Sequence, residues 1–334
     1  MEDTISASYE SMLKESAKWC RLMRINNAVD FNDLGEEEIR ELILVDEARH
    51  EKKIMEMAQV IAKGLPLARL ILLAGPSSAG KTTFAKRLAV QLRILGIQTL
   101  NVSMDDYFLD RNNTPLTPLG AMDFESIHAM DLPLFNRHLC QLLAGEEVIL
   151  PRYDFTKGQR SPEGHSCCLE ENKVIIIEGI HALNPQLTAE IASGYKQKIY
   201  ISPLIQLNLD DHTLISTTDY RLLRRITRDS QFRNHSPEQS LALWPAVRLG
   251  EMANIFPFQE EAGFYFNSSL IYELAVLRPL VEGYLTALDP HSPVYQEAKR
   301  LLGFIQYFRP LAADLVPANS ICREFIGNSC FNYA

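Results

Sequence analysis

The residues Gly75-Pro76-Ser77-Ser78-Ala79-Gly80-Lys81-Thr82 fit the spacing G-x-x-x-x-G-K-[ST], the pattern of a loop that cradles phosphates. The chemistry needs these residue types in these places. Gly75 and Gly80 let the chain turn tightly and bring backbone N–H groups to phosphate oxygens. A helix opening at Gly80 adds the positive end of its dipole. Lys81 reaches the β- and γ-phosphates, and the Thr82 hydroxyl can ligate Mg²⁺. Ser77, Ser78, Ala79 and Thr83 complete the stretch expected to touch the nucleotide. The loop calls for a nucleoside triphosphate but does not say where the phosphate goes.

The elements around the loop are those it requires. Leu70 to Ala74 is a short apolar run that reads as a buried parallel strand. Thr83 to Leu92 carries apolar residues at helical spacing. Gly96 to Ser103 reads as a second strand, running into Met104-Asp105-Asp106-Tyr107-Phe108. Ligands of open parallel sheets sit at the carboxyl ends of strands. A carboxylate such as Asp105 there can orient and deprotonate an attacking hydroxyl, or hold Mg²⁺; the alternative is a helix cap or a solvated turn. Lys173 to Gly179 is the clearest central strand, and it ends in Glu178, where phosphate-loop enzymes often place an acid that works through the Mg²⁺ shell. His181 follows, as a residue lining the site or a structural one.

Other stretches would close the site. The long loop 109–130 holds Asp123-Phe124-Glu125, a candidate substrate cluster. A helix is expected from Asp131 to Leu143, and 147–170 reads as a hairpin over the active site. Arg221, Arg224, Arg225 and Arg228 fall at i, i+3, i+4 and i+7 of a basic helix, so they share one face, with Phe232 and Arg233 beyond. Arginine forks suit phosphate oxygens and a moving phosphoryl group; the plainer alternative is a solvated face paired with acids. This helix is expected to serve as a lid. Asn267 to Glu273 is the expected last strand, and 274–334 is mostly helical. Residues 1–65 read as a helical, packing or oligomerising appendage, in which His50 is expected to be solvated.

Composition excludes several classes. The chain has 334 residues, a formal charge of −9, 46% hydrophobic and 22% charged residues, values of an ordinary globular protein. The acidic balance argues against a general nucleic-acid binder. Six cysteines without a C-x-x-C pair read as reduced thiols, with neither a disulfide framework nor a zinc site. No apolar run is long enough to span a bilayer, and Met1-Glu2-Asp3-Thr4 is unlike a signal peptide. The expected compartment is the cytoplasm, with no membrane partner.

In order and spacing, Gly75–Thr83, Ser103–Phe108, Asp123-Phe124-Glu125, Pro151-Arg152-Tyr153-Asp154-Phe155, Ile177-Glu178-Gly179-Ile180 and the run Arg221–Arg233 resemble the uridine kinase and phosphoribulokinase group of phosphate-loop kinases. Trp244-Pro245-Ala246-Val247-Arg248, Asn254–Glu261 and Asn319–Phe325 are similar to a long bacterial branch of uridine or nucleoside kinases. In that branch the kinase follows a domain like one of threonyl-tRNA synthetase, of which residues 1–65 resemble only the tail.

The resemblance implies a three-layer α/β/α fold with a mostly parallel central sheet over 66–334, with helical N- and C-terminal extensions. It implies ATP and Mg²⁺ as cofactors, a nucleoside as acceptor and, more weakly, a homo-oligomer. Asp105 would be the base that activates the ribose 5′-hydroxyl, with Lys81, Arg225 and Arg228 assisting. Thr82, Asp105 and Glu178 would surround Mg²⁺. Arg221 and Arg224 would join the phosphate group, while Asp106, Tyr107, Phe124, Glu125, Tyr153 and Arg233 would face the substrate. Glu125 replaces a ribose-binding Asp of uridine–cytidine kinases, and Gly158 stands where they carry a base-contacting His. Rival readings are a kinase of another small alcohol, such as a sugar phosphate or pantothenate, a nucleotide-gated switch, and an ATP-binding scaffold. The absence of N-K-x-D counts against a guanine-reading switch, and the joint presence of Lys81, Thr82, Asp105 and Glu178 against a scaffold.

Overall fold

A computed structural model describes residues 7–116, 122–123, 125–154, 157–161, 163–205, 207–210 and 212–333. Three helices come first: α1 (Ala7–Met23), α2 (Ala28–Asn32) and α3 (Glu36–Lys63). Strand β1 (Leu70–Ala74) feeds the loop and α4 (Lys81–Ile94), and β2 (Gln98–Ser103) follows. Helix α5 (Leu132–Leu143) starts on Asp131, whose carboxylate accepts from the Leu134 N–H at 3.0 Å, a side-chain cap as expected. The expected hairpin is present: β3 (Val148–Leu150), β4 (Tyr153–Asp154), β5 (Gln159–Arg160) and β6 (His165–Cys167) pair antiparallel, β3 with β6 and β4 with β5. Then come β7 (Lys173–Glu178), β8 (Lys196–Ser202), α6 (Thr217–Phe232), α7 (Pro237–Asn254), β9 (Phe264–Asn267), α8 (Glu273–Thr286), α9 (Tyr295–Ile305) and α10 (Arg323–Ile326). The last strand thus lies earlier than the sequence suggests, in the aromatic run Phe264-Tyr265-Phe266.

Strands β2, β7, β1, β8 and β9 form one parallel sheet in that order. The Val, Ile and Leu residues of β1, β7 and β8 are buried on both faces, as parallel strands between helix layers must be, while Leu100 of the edge strand β2 is half-buried. Ile71, Leu73, Ile176 and Ile199 pack with α3, α4, α6 and α8 on one face, while Leu70, Leu72, Ile175 and Ile177 pack with α1 and α5 on the other. The result is the three-layer α/β/α arrangement.

Helix α3 is fastened to this body by buried polar contacts. Arg87 of α4 is 2% exposed and pairs with Glu47 at 3.1 Å and Glu51 at 2.8 Å. Asp46 accepts from the Trp19 indole at 2.9 Å and from the Ile271 N–H at 2.7 Å. Burial pushes the Asp46 carboxyl up to about 6. His50 is buried against the ring of Phe266 rather than solvated, because the face of α3 that carries it lies on the sheet. The six cysteines are free thiols. Among the described residues, no helix is long and apolar enough to cross a membrane.

Candidate active site

The loop joins β1 to α4 at the carboxyl edge of the sheet, between β7 and β8. Gly75 is there for space: a Cβ would stand 2.1 Å from the Ile201 carbonyl oxygen of β8. Gly80 adopts φ +84°, in the left-handed region that glycine tolerates without cost. Gly75→Ala should therefore force the loop away from β8, costing about 1–3 kcal/mol and weakening nucleotide binding in step; thermal unfolding with and without ATP would measure both. The Lys81 ammonium donates to the carbonyls of Gly75 at 2.9 Å and Pro76 at 3.1 Å. Burial lowers its pKa and the nearby Glu178 raises it back.

The strand register brings the acids to the loop. Leu73 of β1 and Ser103 of β2 both lie level with Glu178 of β7, so Asp105, two residues past Ser103, reaches the same edge. Asp105, Glu178, Lys81, Thr82 and the loop residues Ser77, Ser78, Ala79 and Gly80 line one cavity of about 500 Å³. The Thr82 hydroxyl donates to Glu178 Oε1 at 3.1 Å, while Glu178 Oε2 is buried with no partner. Burial raises the Glu178 carboxyl, with Lys81 opposing. An orphaned carboxylate oxygen beside a hydroxyl fits a small divalent cation. Among the described residues no group of three or more Asp, Glu, His or Cys could enclose a metal alone. Glu178→Gln should raise the Mg²⁺ concentration needed for half-maximal activity by about tenfold, the loss typical of one hydrogen-bonded charge; a Mg²⁺ titration at fixed ATP reads it directly.

The arginines of α6 share one face, as their spacing predicts, but that face splits into two roles. Arg225 and Arg228 line the 500 Å³ cavity, as does Arg233 just past α6. Arg225 Nη1 donates to the Ser77 hydroxyl at 3.0 Å and its Nε lies 3.2 Å from Asp229, while Arg228 Nε donates to Asp229 at 2.9 Å. Arg221 and Arg224 do not face the phosphates, contrary to expectation. Arg221 is buried, paired with Glu251, and donates to the Ser77 carbonyl at 2.9 Å. Arg224 is fully buried, donating to Glu273 at 2.7 and 2.6 Å and to the Ser78 carbonyl at 3.2 Å. Both guanidiniums are held by acids behind the loop, where they fix its carbonyls in place. Most of the segment expected to be a lid is accordingly the body of α6, packed under the loop; Arg233 remains at the cavity's edge, its side chain 57% exposed.

Glu125, His181, Phe108 and Met130 also line the 500 Å³ cavity. Burial raises the Glu125 carboxyl and Arg225 draws it back. Burial drives His181 down to about 4, so it is a neutral imidazole. Asp105 and Glu178 also border a second cavity of about 400 Å³, walled by Asp106, Tyr107 and the hairpin residues Pro151, Arg152 and His165. Tyr107 is buried against Phe135 with its hydroxyl 3.1 Å from His138 Nδ1. Asp106 accepts from the Tyr153 N–H at 3.0 Å, and the Tyr153 hydroxyl donates to the Leu109 carbonyl at 3.3 Å. These contacts make Tyr107, Asp106 and Tyr153 the joint between β2 and the hairpin. Phe124 lies outside the described residues.

Two acids escape any reading of local sequence. Glu251 of α7 accepts from the Ser77 N–H at 2.8 Å and pairs with Arg248 at 2.8 Å as well as with Arg221. Glu324 of α10 accepts from both the N–H and the hydroxyl of Thr83, at 3.0 and 2.8 Å. Thr83 is thus turned to the C-terminal segment and not into the 500 Å³ cavity. Glu251 sits in no motif, Glu324 lies in the run Asn319–Phe325 without a role read for it there, and only the fold carries them to the loop.

Residues 70–268 match the model of the phosphoribulokinase / uridine kinase family. The chain is similar to the uridine kinase of Deinococcus deserti, 29% identical over 165 residues, which cover 49% of this chain and 70% of that one. It is similar to the uridine kinase of Lactobacillus helveticus, 31% identical over 50% of this chain and 70% of that one, and to that of Chloroflexus aurantiacus, 29% identical over 59% and 85%. The matched span holds the loop, the acids at the ends of β2 and β7 and the arginines of α6. On these grounds the chain belongs to the phosphoribulokinase / uridine kinase family and is a phosphotransferase.

Proposed function

We propose that the protein transfers the γ-phosphoryl group of ATP to the 5′-hydroxyl of a nucleoside of the uridine or cytidine kind, giving the monophosphate. The observation that carries this reading is the single cavity shared by the phosphate loop, Lys81, Glu178 and Asp105. A hydroxyl next to Asp105 has a carboxylate to take its proton, and the in-line displacement needs little else but position and charge. Lys81, Arg225, Arg228 and Arg233 supply positive charge around the transferred group. Thr82 and Glu178, with Asp105, would hold Mg²⁺, which supplies charge neutralisation across the β- and γ-phosphates. Glu125 and the neutral His181 offer an acceptor and a donor–acceptor pair for sugar hydroxyls. The names of the relatives, uridine kinases, support a nucleoside over a sugar phosphate.

ADP release from ATP and Mg²⁺, measured across uridine, cytidine, purine nucleosides, ribulose 5-phosphate and pantothenate, tests the proposal. Release should depend on a pyrimidine nucleoside. Turnover with ribulose 5-phosphate or pantothenate alone would replace the acceptor, and turnover with none of them would remove the kinase reading.

A further inference from the structure

The Phe84 N–H closes the first turn of α4 by donating to the Gly80 carbonyl at 3.0 Å. The N–H groups of Lys81, Thr82 and Thr83 before it have no partner within the helix. Such donors behind a phosphate loop make a seat for anions. One of them is already taken. Glu324 of α10 accepts from the Thr83 N–H at 3.0 Å and from its hydroxyl at 2.8 Å. Thr83 is fully buried and does not line the 500 Å³ cavity, whereas Glu324 does, beside Gly80, Lys81 and Thr82. A carboxylate therefore stands between these donors and the cavity. It is set there firmly, because Ile321, Cys322 and Phe325 around it are fully buried. It also arrives from outside the family match at 70–268. The other acid on the loop, Glu251, is matched by Arg221 and Arg248. Among the described residues Glu324 has no such ion pair, so its charge acts on whatever enters the cavity.

We propose that Glu324 is a built-in competitor for phosphate, an autoinhibitory contact that lowers the affinity of the loop for its own nucleotide; this rests on the kinase reading above. The carboxylate holds the Thr83 N–H and hydroxyl until an incoming phosphate displaces it. Even undisplaced, it lies about one helical turn, ~5 Å, from phosphates held by the neighbouring N–H groups. Like charges at that distance repel strongly where water is partly excluded. Arg228 and Arg233 border the same cavity and would receive the displaced carboxylate. An event that draws α10 away from α4 would then raise nucleotide affinity without touching the loop itself.

Calorimetric titration of the full chain with ADP at fixed Mg²⁺ tests this, in the unaltered protein, Glu324→Gln and Glu324→Ala. Glutamine keeps the shape and still accepts from Thr83 but carries no charge; alanine bares the donors. The Kd for ADP should fall about tenfold in the glutamine variant at low salt, and at least as far in the alanine variant. The gain of the glutamine variant should shrink to about twofold in about 0.5 M salt, where the repulsion is screened. A prop for the first turn of α4 would give the opposite sign. A Kd that rises or stays the same in the glutamine variant therefore overturns the proposal, as does a gain that salt leaves untouched. Urea unfolding without ligand shows whether each variant folds. If only the alanine variant folds, its Kd is read by the same sign; if neither folds, Glu324 is a structural prop and the proposal falls. ADP bound equally by all three forms would remove the competitor and leave the kinase reading standing, whereas no binding by any of them would overturn both.

Discussion

Asp105→Asn should lower kcat by about 10²- to 10⁴-fold, the range for loss of a general base, with little change in KM for ATP. The amide keeps the shape and the hydrogen-bonding capacity of the side chain but takes no proton. A fall in KM-controlled terms alone, with kcat retained, would reassign Asp105 to substrate holding. The same residue, as the proposed base, should set the acid limb of the rate profile. Burial first, then the neighbouring Asp106, raises the Asp105 carboxyl, while Arg233 and Lys81 pull it back. As the proposed base Asp105 must be a carboxylate, so activity should be lost as pH falls through its folded pKa, and that limb should lie above the roughly 4 of a free aspartate. Arg233→Ala removes one of the two charges that hold the carboxylate ionised. It should move the limb of kcat/KM to still higher pH, an upward displacement that simple damage to packing would not produce.

What the sequence made legible follows from how local each signal is. The loop, β1 and α4 are contiguous, so spacing alone placed them. Asp105 and Glu178 were legible because each closes a stretch that reads as a strand, and parallel strands deliver their ends to one edge of a sheet. The arginine face was legible as a face, because the helical period fixes it. Its depth was not. Whether Arg221 and Arg224 meet phosphate or carboxylate depends on Glu251 and Glu273, which arrive from α7 and α8. His50 misled for the same reason: an isolated polar residue on a charged helix reads as solvated until the sheet that covers it is known. Glu324 and the segment after it sit some 240 positions from Thr83, and no periodicity links them.

The strongest stability effect expected lies in that hidden half of the arginine face. Glu273→Ala should destabilise the fold by about 3–5 kcal/mol, the cost of leaving one charge of a buried pair without its partner. Arg224 and Glu273 are both fully buried, joined by two hydrogen bonds. The Tyr220 hydroxyl also donates to Glu273, and Arg224 stacks on the rings of Tyr220 and Phe325 at 4.7 and 4.6 Å. Without Glu273 the guanidinium keeps its carbonyl contacts to Ser78 and Ser268 but loses its counter-charge. Because the contact to Ser78 runs to the phosphate loop, the loss should appear twice: as a lower midpoint in urea unfolding, and as weaker ATP binding, so that added ATP raises the midpoint less than it does for the unaltered protein. The apolar double variant Arg224→Met, Glu273→Leu removes both charges, so it should recover most of the lost stability. It also gives up the hold on Ser78 and Ser268, and so should not recover nucleotide affinity. Equal recovery of both would show that the pair only fills space, and that the loop is fixed by Arg221 and Glu251 alone.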